Sequence, residues 1–379
     1  MMINFNVPFL TGKEQACVED AIKRRTLSGD GHYTHLCHEW LKTNLGSQAA
    51  LLTHSCTAAL EMAAMLLDFQ PGDEVIIPSF TFVSSANAFV LRGAVPVFVD
   101  IRSDTFNIDE ALIEAAITPR TRAILVVHYA GVPCEMDYIV DIARRHNLYV
   151  IEDAAQALLS KYKGRYLGTI GDIGCLSFHA TKNVIAGEGG AILLNNRDLI
   201  SRAEIIREKG TNRKQFFRGE TDKYTWVDIG SSYLPGEVIA AFLYPQLLHA
   251  EEITARRRQA WGRYYQVLSD SALAHEYLSL PRAANDTAHN AHIFGVTVLD
   301  TGVRDSLLAN LKQKGIGATF HYVPLHSSAA GLRFGRVASS MAVTDQVSNS
   351  LVRLPMWVGV DEHVDYIIAA IDEFLRQVP

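Results

Sequence analysis

The chain is poor in the features that mark several common classes of protein. It has five cysteines in 379 residues (Cys17, Cys37, Cys56, Cys134 and Cys175). Their number is odd and no two form a CxxC pair, which argues against a disulfide framework or a zinc ribbon and for free thiols in a reducing cytoplasm. No apolar run is long enough to span a bilayer; the longest, Cys56–Leu67, is interrupted by Glu61. The opening MMINFNVPFLTGKEQ has no basic region followed by an apolar one, so no signal peptide is expected. A cationic excess is missing too. Lys and Arg number 35 against 41 Asp and Glu, a net charge of −6, so no positive field is available to hold nucleic acid. Internal repeats and low-complexity tracts are absent. No spacing of His, Cys, Asp or Glu suggests a metal site.

What is present reads as an ordinary globular mixture, 48% hydrophobic and 20% charged, of a length that suits two domains. From about residue 50 to 210 two kinds of segment alternate. Short β-branched runs are expected as strands: Glu74–Ile77, Val95–Val99, Ala123–Val127, Tyr149–Ile151, Cys175–Phe178 and Ala191–Leu194. Between them lie expected helices: Thr57–Leu67, Ser84–Leu91, Asp109–Ile117, Met136–His146 and Leu199–Lys209. Asn107 and Glu110 have the spacing of a capping box for the third of these helices. Such alternation implies an α/β domain, with a mostly parallel sheet covered on both faces. Beyond Tyr244 the pattern changes. A charged helix, Glu251–Val267, carries Arg256, Arg257 and Arg258, read as a solvated face. A strand (Ile293–Leu299), a helix (Arg304–Lys314), a strand (Ala318–Tyr322) and helices near Thr344–Leu351 and His363–Gln377 follow. The expected division is a large α/β domain over residues 1–250 and a small α+β domain over 251–379.

Ligands of open α/β sheets bind beyond the carboxyl ends of the strands. Three segments occupy such places: Pro78–Phe82, Glu152–Gln156, and His179–Asn183 followed by Gly187–Gly190; a fourth, Thr53–Ala59, runs into the Thr57 helix, and all four are expected to face one crevice. A hydroxyl-rich turn opening a helix suits a phosphate. An acid at a strand end can pair with a protonated ring nitrogen, a lysine can condense with an aldehyde, and an aromatic ring can stack. Together these requirements describe pyridoxal phosphate, PLP. Taken singly, each residue has a plainer reading: Asp153, Ser55 and Thr57 as helix caps, Phe82 as core, Lys182 as a surface charge.

The run Ser177-Phe178-His179-Ala180-Thr181-Lys182-Asn183 with Gly187-Glu188-Gly189-Gly190 resembles the lysine motif of the DegT/DnrJ/EryC1/StrS sugar aminotransferases. Glu152–Gln156, Ser55–Leu60 and Pro78–Phe82 resemble that family's other motifs, and the resemblance covers nearly the whole chain. It implies a PLP-dependent fold-type I enzyme. Lys182 would bind PLP covalently and shuttle the proton, and Asp153 would keep the pyridine nitrogen protonated. Gln156 would meet the ring hydroxyl, Phe82 would stack on the ring, and Thr57, Ala58 and Ser177 would hold the phosphate.

Most members have Asn and Arg where this chain has Ser232 and Leu234. In them the Asn reaches the phosphate of the neighbouring subunit's cofactor, so Ser232 is a candidate for that contact, and a homodimer with shared sites is implied. Candidate substrate contacts are Arg213, His321, Tyr322 and His326; for the histidines, buried and satisfied rings are the plain alternative. The implied donor is L-glutamate. The implied acceptor is a dTDP-4-keto-6-deoxyhexose aminated at C4, with a 3-amino sugar or a GDP-perosamine type as the alternative. A dehydratase branch of the family replaces the lysine with histidine, which Lys182 argues against. The Lys182–Asp153 pair likewise argues against a non-catalytic regulator.

Overall fold

Short strands buried on both faces form the centre of the molecule. A computed structural model describes residues 2–281 and 289–378. In strand Thr121–Val127, Ile124 and Val126 face one apolar layer while Ala123, Leu125 and Val127 face the other. The period of two in a strand delivers alternate side chains to the two faces, so a nearly continuous apolar run is what a doubly covered sheet requires. Helices His32–Leu45, Met136–His146 and Glu237–Leu248 contribute to the first layer. Cys56–Leu66, Ser84–Val90 and Ile200–Arg207 contribute to the second.

The sheet has eight strands, in the order 49–53, 190–194, 173–177, 149–153, 121–127, 74–78, 95–99 and 336–337. Every neighbouring pair is parallel except the two made by Gly190–Leu194. The expected mostly parallel α/β sheet is therefore present. Two of its strands, Ala49–Thr53 and Arg336–Val337, have no counterpart in the expected set; the first, AALLT, lacks the β-branched signature used to find the others, and the second is only two residues long.

A second, antiparallel sheet joins Leu278–Ser279, Phe294–Val298 and Leu351–Leu354. Helices Ala250–Ser269, Arg304–Gln313 and Val364–Leu375 pack with it around Tyr264, Phe294 and Ile367. Three local expectations are corrected here. The segment 318–322 is not a strand; Thr319 makes a single bridge to Arg353 and the chain then leaves the sheet. Asn107 caps no helix. It donates to the Val132 carbonyl and accepts from the Tyr129 N–H, while Asp109 caps the short turn at Glu110–Leu112. Of the three arginines read as a solvated face, Arg257 is buried. It donates to the carbonyls of Ala291, His292 and Met356, because the small domain folds over that side of the helix.

The position 250/251 falls at the junction of helices Glu237–Leu248 and Ala250–Ser269, and the chain crosses it twice in space. Near the start of the chain, Ile3 bridges Ile316 and lies in the small domain's core. Near the other end, strand Arg336–Val337 pairs with Val95–Val99 and closes that edge of the large sheet. An ion cluster fixes this edge. Glu74 is fully buried and accepts from Arg336 (2.9 Å on both oxygens), Arg120 (2.9 Å) and Thr118 (2.7 Å). Among the described residues no helix is long and apolar enough to cross a membrane.

The hydrogen bonds from Arg336 pull the Glu74 carboxyl down from 4.5 to about 2. A carboxyl depressed on folding contributes stability above its unfolded value and loses it as pH falls through the folded one. Glu74→Ala is expected to lower the unfolding free energy by about 3 kcal/mol at neutral pH. The deficit should shrink as pH drops from 4.5 towards about 2. Chemical denaturation across that range checks this; a deficit independent of pH would contradict it.

Candidate active site

The carboxyl ends of strands Glu74–Pro78, Tyr149–Asp153 and Ile173–Ser177 and the start of helix Cys56–Leu66 open on one cavity of about 500 Å³. Its wall includes Thr57, Phe82, Asp153, Gln156, Ser177 and Lys182. A larger hollow of about 770 Å³ opens near residues 45–48, 164–172 and 195–196, by the amino-terminal starts of strands 149–153 and 173–177. None of the expected site residues lines it.

Asp153 ends its strand with a buried carboxylate. Ser85 Oγ donates to Oδ2 at 2.7 Å and the Ala155 N–H to Oδ1 at 3.1 Å. Thr81 Oγ1 lies 2.9 Å from Ser85 Oγ; because the Ser85 proton is on Asp153, Thr81 is the donor there. Burial pushes the Asp153 carboxyl above its ordinary range, while Ser85, Ala155 and Lys182 pull it back. Burial likewise pulls Lys182 below the ordinary lysine range, against the attraction of Cys56 and Asp153. The amine is thus more readily neutral and nucleophilic than a surface lysine.

At the helix start, Ser55 Oγ caps the Ala58 N–H at 3.1 Å, and the N–H groups of Cys56 and Thr57 precede that cap. Thr57 and Ser84 hydroxyls meet at 2.8 Å, and Ser177 stands at the neighbouring strand end. Gly190 lies against this turn; a Cβ there would come within 2.4–2.5 Å of the Ser55–Cys56 backbone, so only glycine permits the approach. Phe82 is 57% exposed with its ring beside Tyr322, whereas Phe80, two residues earlier, is 1% exposed and belongs to the core. Gln156 accepts from the Ala130 N–H at 2.6 Å and donates to the Tyr322 hydroxyl at 3.0 Å.

His321 and Tyr322 arrive from the small domain with their rings stacked 4.1 Å apart. The Arg353 guanidinium donates to His321 Nδ1 at 2.8 Å, so Nε2 carries the ring proton and faces the Tyr129 hydroxyl at 2.7 Å. Burial and Arg353 hold this ring neutral.

Other expected residues lie elsewhere. Ala58 is off the cavity wall and its N–H is taken by Ser55. His326 is not in the cavity either; Ser79 Oγ accepts its N–H at 3.0 Å and meets Nδ1 at 2.8 Å, docking the segment to the end of strand Glu74–Pro78. Arg213 pairs with Glu208 at 3.2 Å, and Ser232 is exposed, bridging Glu208 outside this chain's own cavity.

Sequence reasoning passed over Ser85, His292 and Arg353, which also line the cavity. His292 Nδ1 lies 2.9 Å from Asn183 Oδ1, while Asn183 Nδ2 donates to the Asn290 carbonyl. Asn290 in turn donates to the carbonyls of Gln156 and Leu158, stapling the small domain to the cavity floor. A polar Asn-Ala-His at the start of a strand was the available signal. Among the described residues, no cluster of three or more His, Cys, Asp or Glu is arranged to hold a metal ion.

The chain belongs to the DegT/DnrJ/EryC1/StrS aminotransferase family, whose model matches residues 8–372. It is 32% identical over 380 residues to the GDP-perosamine synthase of Caulobacter vibrioides, covering 98% of both chains. Its structure is similar to that of the aminotransferase TlmJ from Streptoalloteichus hindustanus (TM-score 0.90, 29% identity, 99% of both chains). It is also similar to Spr1654 from Streptococcus pneumoniae in its PLP form (TM-score 0.91, 26% identity, 100% of both chains). The enzyme is a PLP-dependent sugar aminotransferase of fold type I. The cavity fits that cofactor: a buried acid, free helix N–H groups with hydroxyls, an exposed aromatic face and a lysine of lowered pKa share one wall.

Removing the Ser85 hydroxyl takes a donor from the Asp153 carboxylate, so the carboxyl pKa rises. Ser85→Ala is expected to move the acid limb of the pH–turnover profile upward by about one unit. Turnover at the low-pH end should fall first. An unshifted limb with normal folding would show that the hydroxyl does not tune Asp153.

Proposed function

We propose that the enzyme moves the amino group of L-glutamate to C4 of a dTDP-4-keto-6-deoxyhexose, giving dTDP-4-amino-4,6-dideoxygalactose and 2-oxoglutarate. The observation that carries the amino transfer is the shared cavity of Lys182 and Asp153. Within the family, His128–Val132, Glu204–Phe217, Lys223–Pro235 and His321–His326 resemble the galacto-forming transaminase of enterobacterial common antigen synthesis. The free cysteines accord with a cytoplasmic setting.

Bound PLP supplies an electron sink for the carbon next to the transferring nitrogen. Asp153 would hold a proton on the ring nitrogen, with Ser85 and Thr81 fixing the carboxylate. The start of helix Cys56–Leu66, Thr57 and Ser177 would hold the phosphate. Lys182 Nζ would take the proton from the donor's Cα and return it on one side, its lowered pKa making the free amine more available as a base than that of a surface lysine. Gln156, Tyr322 and His321 would orient the reactants. A second reading, a GDP-linked 4-keto sugar as acceptor, is favoured by the 32% identity to a GDP-perosamine synthase.

A two-fold homodimer completes the proposal. The segments that the family resemblance implies cross between subunits are Lys209–Phe217 and Ile229–Tyr233; Phe217, on the first, is 71% exposed, and Tyr224 and Trp226, between the two, are 54% and 76% exposed. An apolar face of that kind supports a partner there. Lys182→Ala is expected to abolish the visible absorbance of the loaded enzyme and its turnover while retaining the fold. Mixing it with a variant inactive through its 209–233 segment should restore part of the activity through hybrid dimers. No recovery despite proven subunit exchange would count against shared sites.

The sugar is tested with a panel of dTDP- and GDP-linked keto-sugars and glutamate, identifying the product by mass and NMR. A small H3–H4 coupling reports an axial amine and the galacto product. A large coupling, or exclusive use of the GDP sugar, would overturn the assignment and leave the aminotransferase standing.

A further inference from the structure

One imidazole facing the cavity has an acceptor that no group of the protein uses. His292 is 6% exposed and lines the cavity together with Lys182. Its proton is placed by a relay of amides. Asn183 Nδ2 donates to the Asn290 carbonyl, which makes Asn183 Oδ1 the acceptor, so the His292 Nδ1–H donates to it at 2.9 Å. Asn290 Oδ1 accepts the His292 main-chain N–H at 3.2 Å, so ring and backbone are both pinned. An imidazole with its proton on Nδ1 keeps a bare lone pair on Nε2. Burial, and after it the Lys182 cation, hold the ring well below the ordinary histidine range, so it stays neutral and is a poor base. Among the described residues nothing donates to that lone pair. The other imidazoles of the cavity wall have a neighbour at each nitrogen: Arg353 and Tyr129 for His321, Thr181 and, at 3.6 Å, Glu188 for His179. Lys182 Nζ is likewise without a hydrogen bond among the described residues. The amide that fixes His292 belongs to the residue directly after Lys182, which keys the ring to the lysine's own loop.

We propose that His292 Nε2 accepts an N–H of Lys182 whenever that amine is free of the cofactor, which makes His292 a positioning residue for the proton transfers. This rests on the reading of Lys182 as the base of the amino transfer. A neutral amine has two N–H groups and one lone pair, and only the lone pair takes a proton. An acceptor that engages one N–H turns the lone pair away from itself, toward a substrate in the cavity. Nε2 suits this because it has no proton to offer; a donor in its place would occupy the lone pair that must stay free. A poor base does not compete with the amine for the substrate's proton. The same amine serves both halves of the reaction, so the contact acts in both. A sugar hydroxyl is the competing donor for Nε2, and it would act in the second half only.

The first test is NMR of the full-length enzyme loaded with pyridoxamine phosphate, in which Lys182 is a free amine, and labelled with nitrogen-15 histidine. His292, assigned by the signals lost in His292→Gln, should be the Nδ1–H tautomer, and its Nε2 resonance should move in Lys182→Met. A proton on Nε2, or an Nε2 resonance indifferent to Lys182→Met, overturns the proposal. The second test is single-turnover kinetics of His292→Leu, which lacks the acceptor. Both the glutamate and the keto-sugar half-reactions should slow by a similar factor, about 10- to 100-fold, with each Kd within about threefold of wild type. The isotope effect with α-deuterated glutamate should rise, because proton transfer becomes the slow step, and His292→Gln, which keeps an acceptor, should recover part of the rate. A loss confined to the keto-sugar half-reaction would assign His292 to a sugar hydroxyl and sink the proposal; an unchanged isotope effect would leave His292 a structural role and do the same. Should His292→Leu fail to fold, the comparison of wild type with Lys182→Met decides. If the contact with Lys182 is found but glutamate yields no 2-oxoglutarate with any keto-sugar, the functional reading falls and the contact stands.

Discussion

A fully buried carboxylate, that of Glu152, organises the centre of the enzyme. An unpaired charge in that position would be prohibitive, so the surrounding backbone is bent to supply donors. His128 meets Oε2 at 2.9 Å, and the N–H groups of Gly168, Ile170 and Gly171 donate at 2.6–2.7 Å. The Cys134 N–H donates to the other ring nitrogen of His128, which leaves the ring proton for Glu152. Burial alone would raise the Glu152 pKa; the His128 bond and the backbone donors outweigh it and bring it below the ordinary value. One acid thereby ties the ends of strands Thr121–Val127 and Tyr149–Asp153 to the 168–171 turn. Because successive residues of a strand point to opposite faces, anchoring Glu152 presents Asp153 to the cavity. The structural acid and the cofactor's acid are neighbours in sequence with opposite surroundings.

The second organising theme is that the cavity has walls from both domains and its polar groups are fixed in chains. Thr81, Ser85 and Asp153 form one chain; Tyr129, His321 and Arg353 form another; Asn290, Asn183 and His292 form a third. Each chain begins at a backbone or hydroxyl anchor and ends at a group facing the cavity. Such bracing keeps a site in a reactive geometry without reorganisation when the substrates alternate.

The legible part of this site is the part written in contiguous residues. Lys182, Asp153, Gln156 and Thr57 each follow a strand or open a helix, so a reading of strand ends finds them. Arg353 and His292 belong to no such motif. Their meaning arises from contacts with His321 and Asn183, 32 and 109 residues away, which periodicity does not encode. Ser85 looks like a helix residue until the fold brings it to Asp153, 68 residues on. Strand boundaries were readable wherever β-branched residues cluster, as at Val95–Val99, and failed at Ala49–Thr53, whose Ala-Leu sequence suits a helix equally. The 318–322 segment has strand-like composition, yet tertiary contacts draw His321 and Tyr322 out of the sheet and into the site.

The late strand Arg336–Val337 has a consequence for synthesis. It covers the outer edge of Val95–Val99 and brings Arg336 to the buried Glu74. About 240 residues separate that edge from its cover. At ribosomal rates of roughly 5–20 residues per second, the edge and its acid wait on the order of 10–50 s for completion. Throughout that interval a growing chain displays an open, β-branched ribbon, the surface through which strands of different molecules join. The nascent enzyme is thus most exposed to misassociation while its cofactor pocket is still missing its far wall.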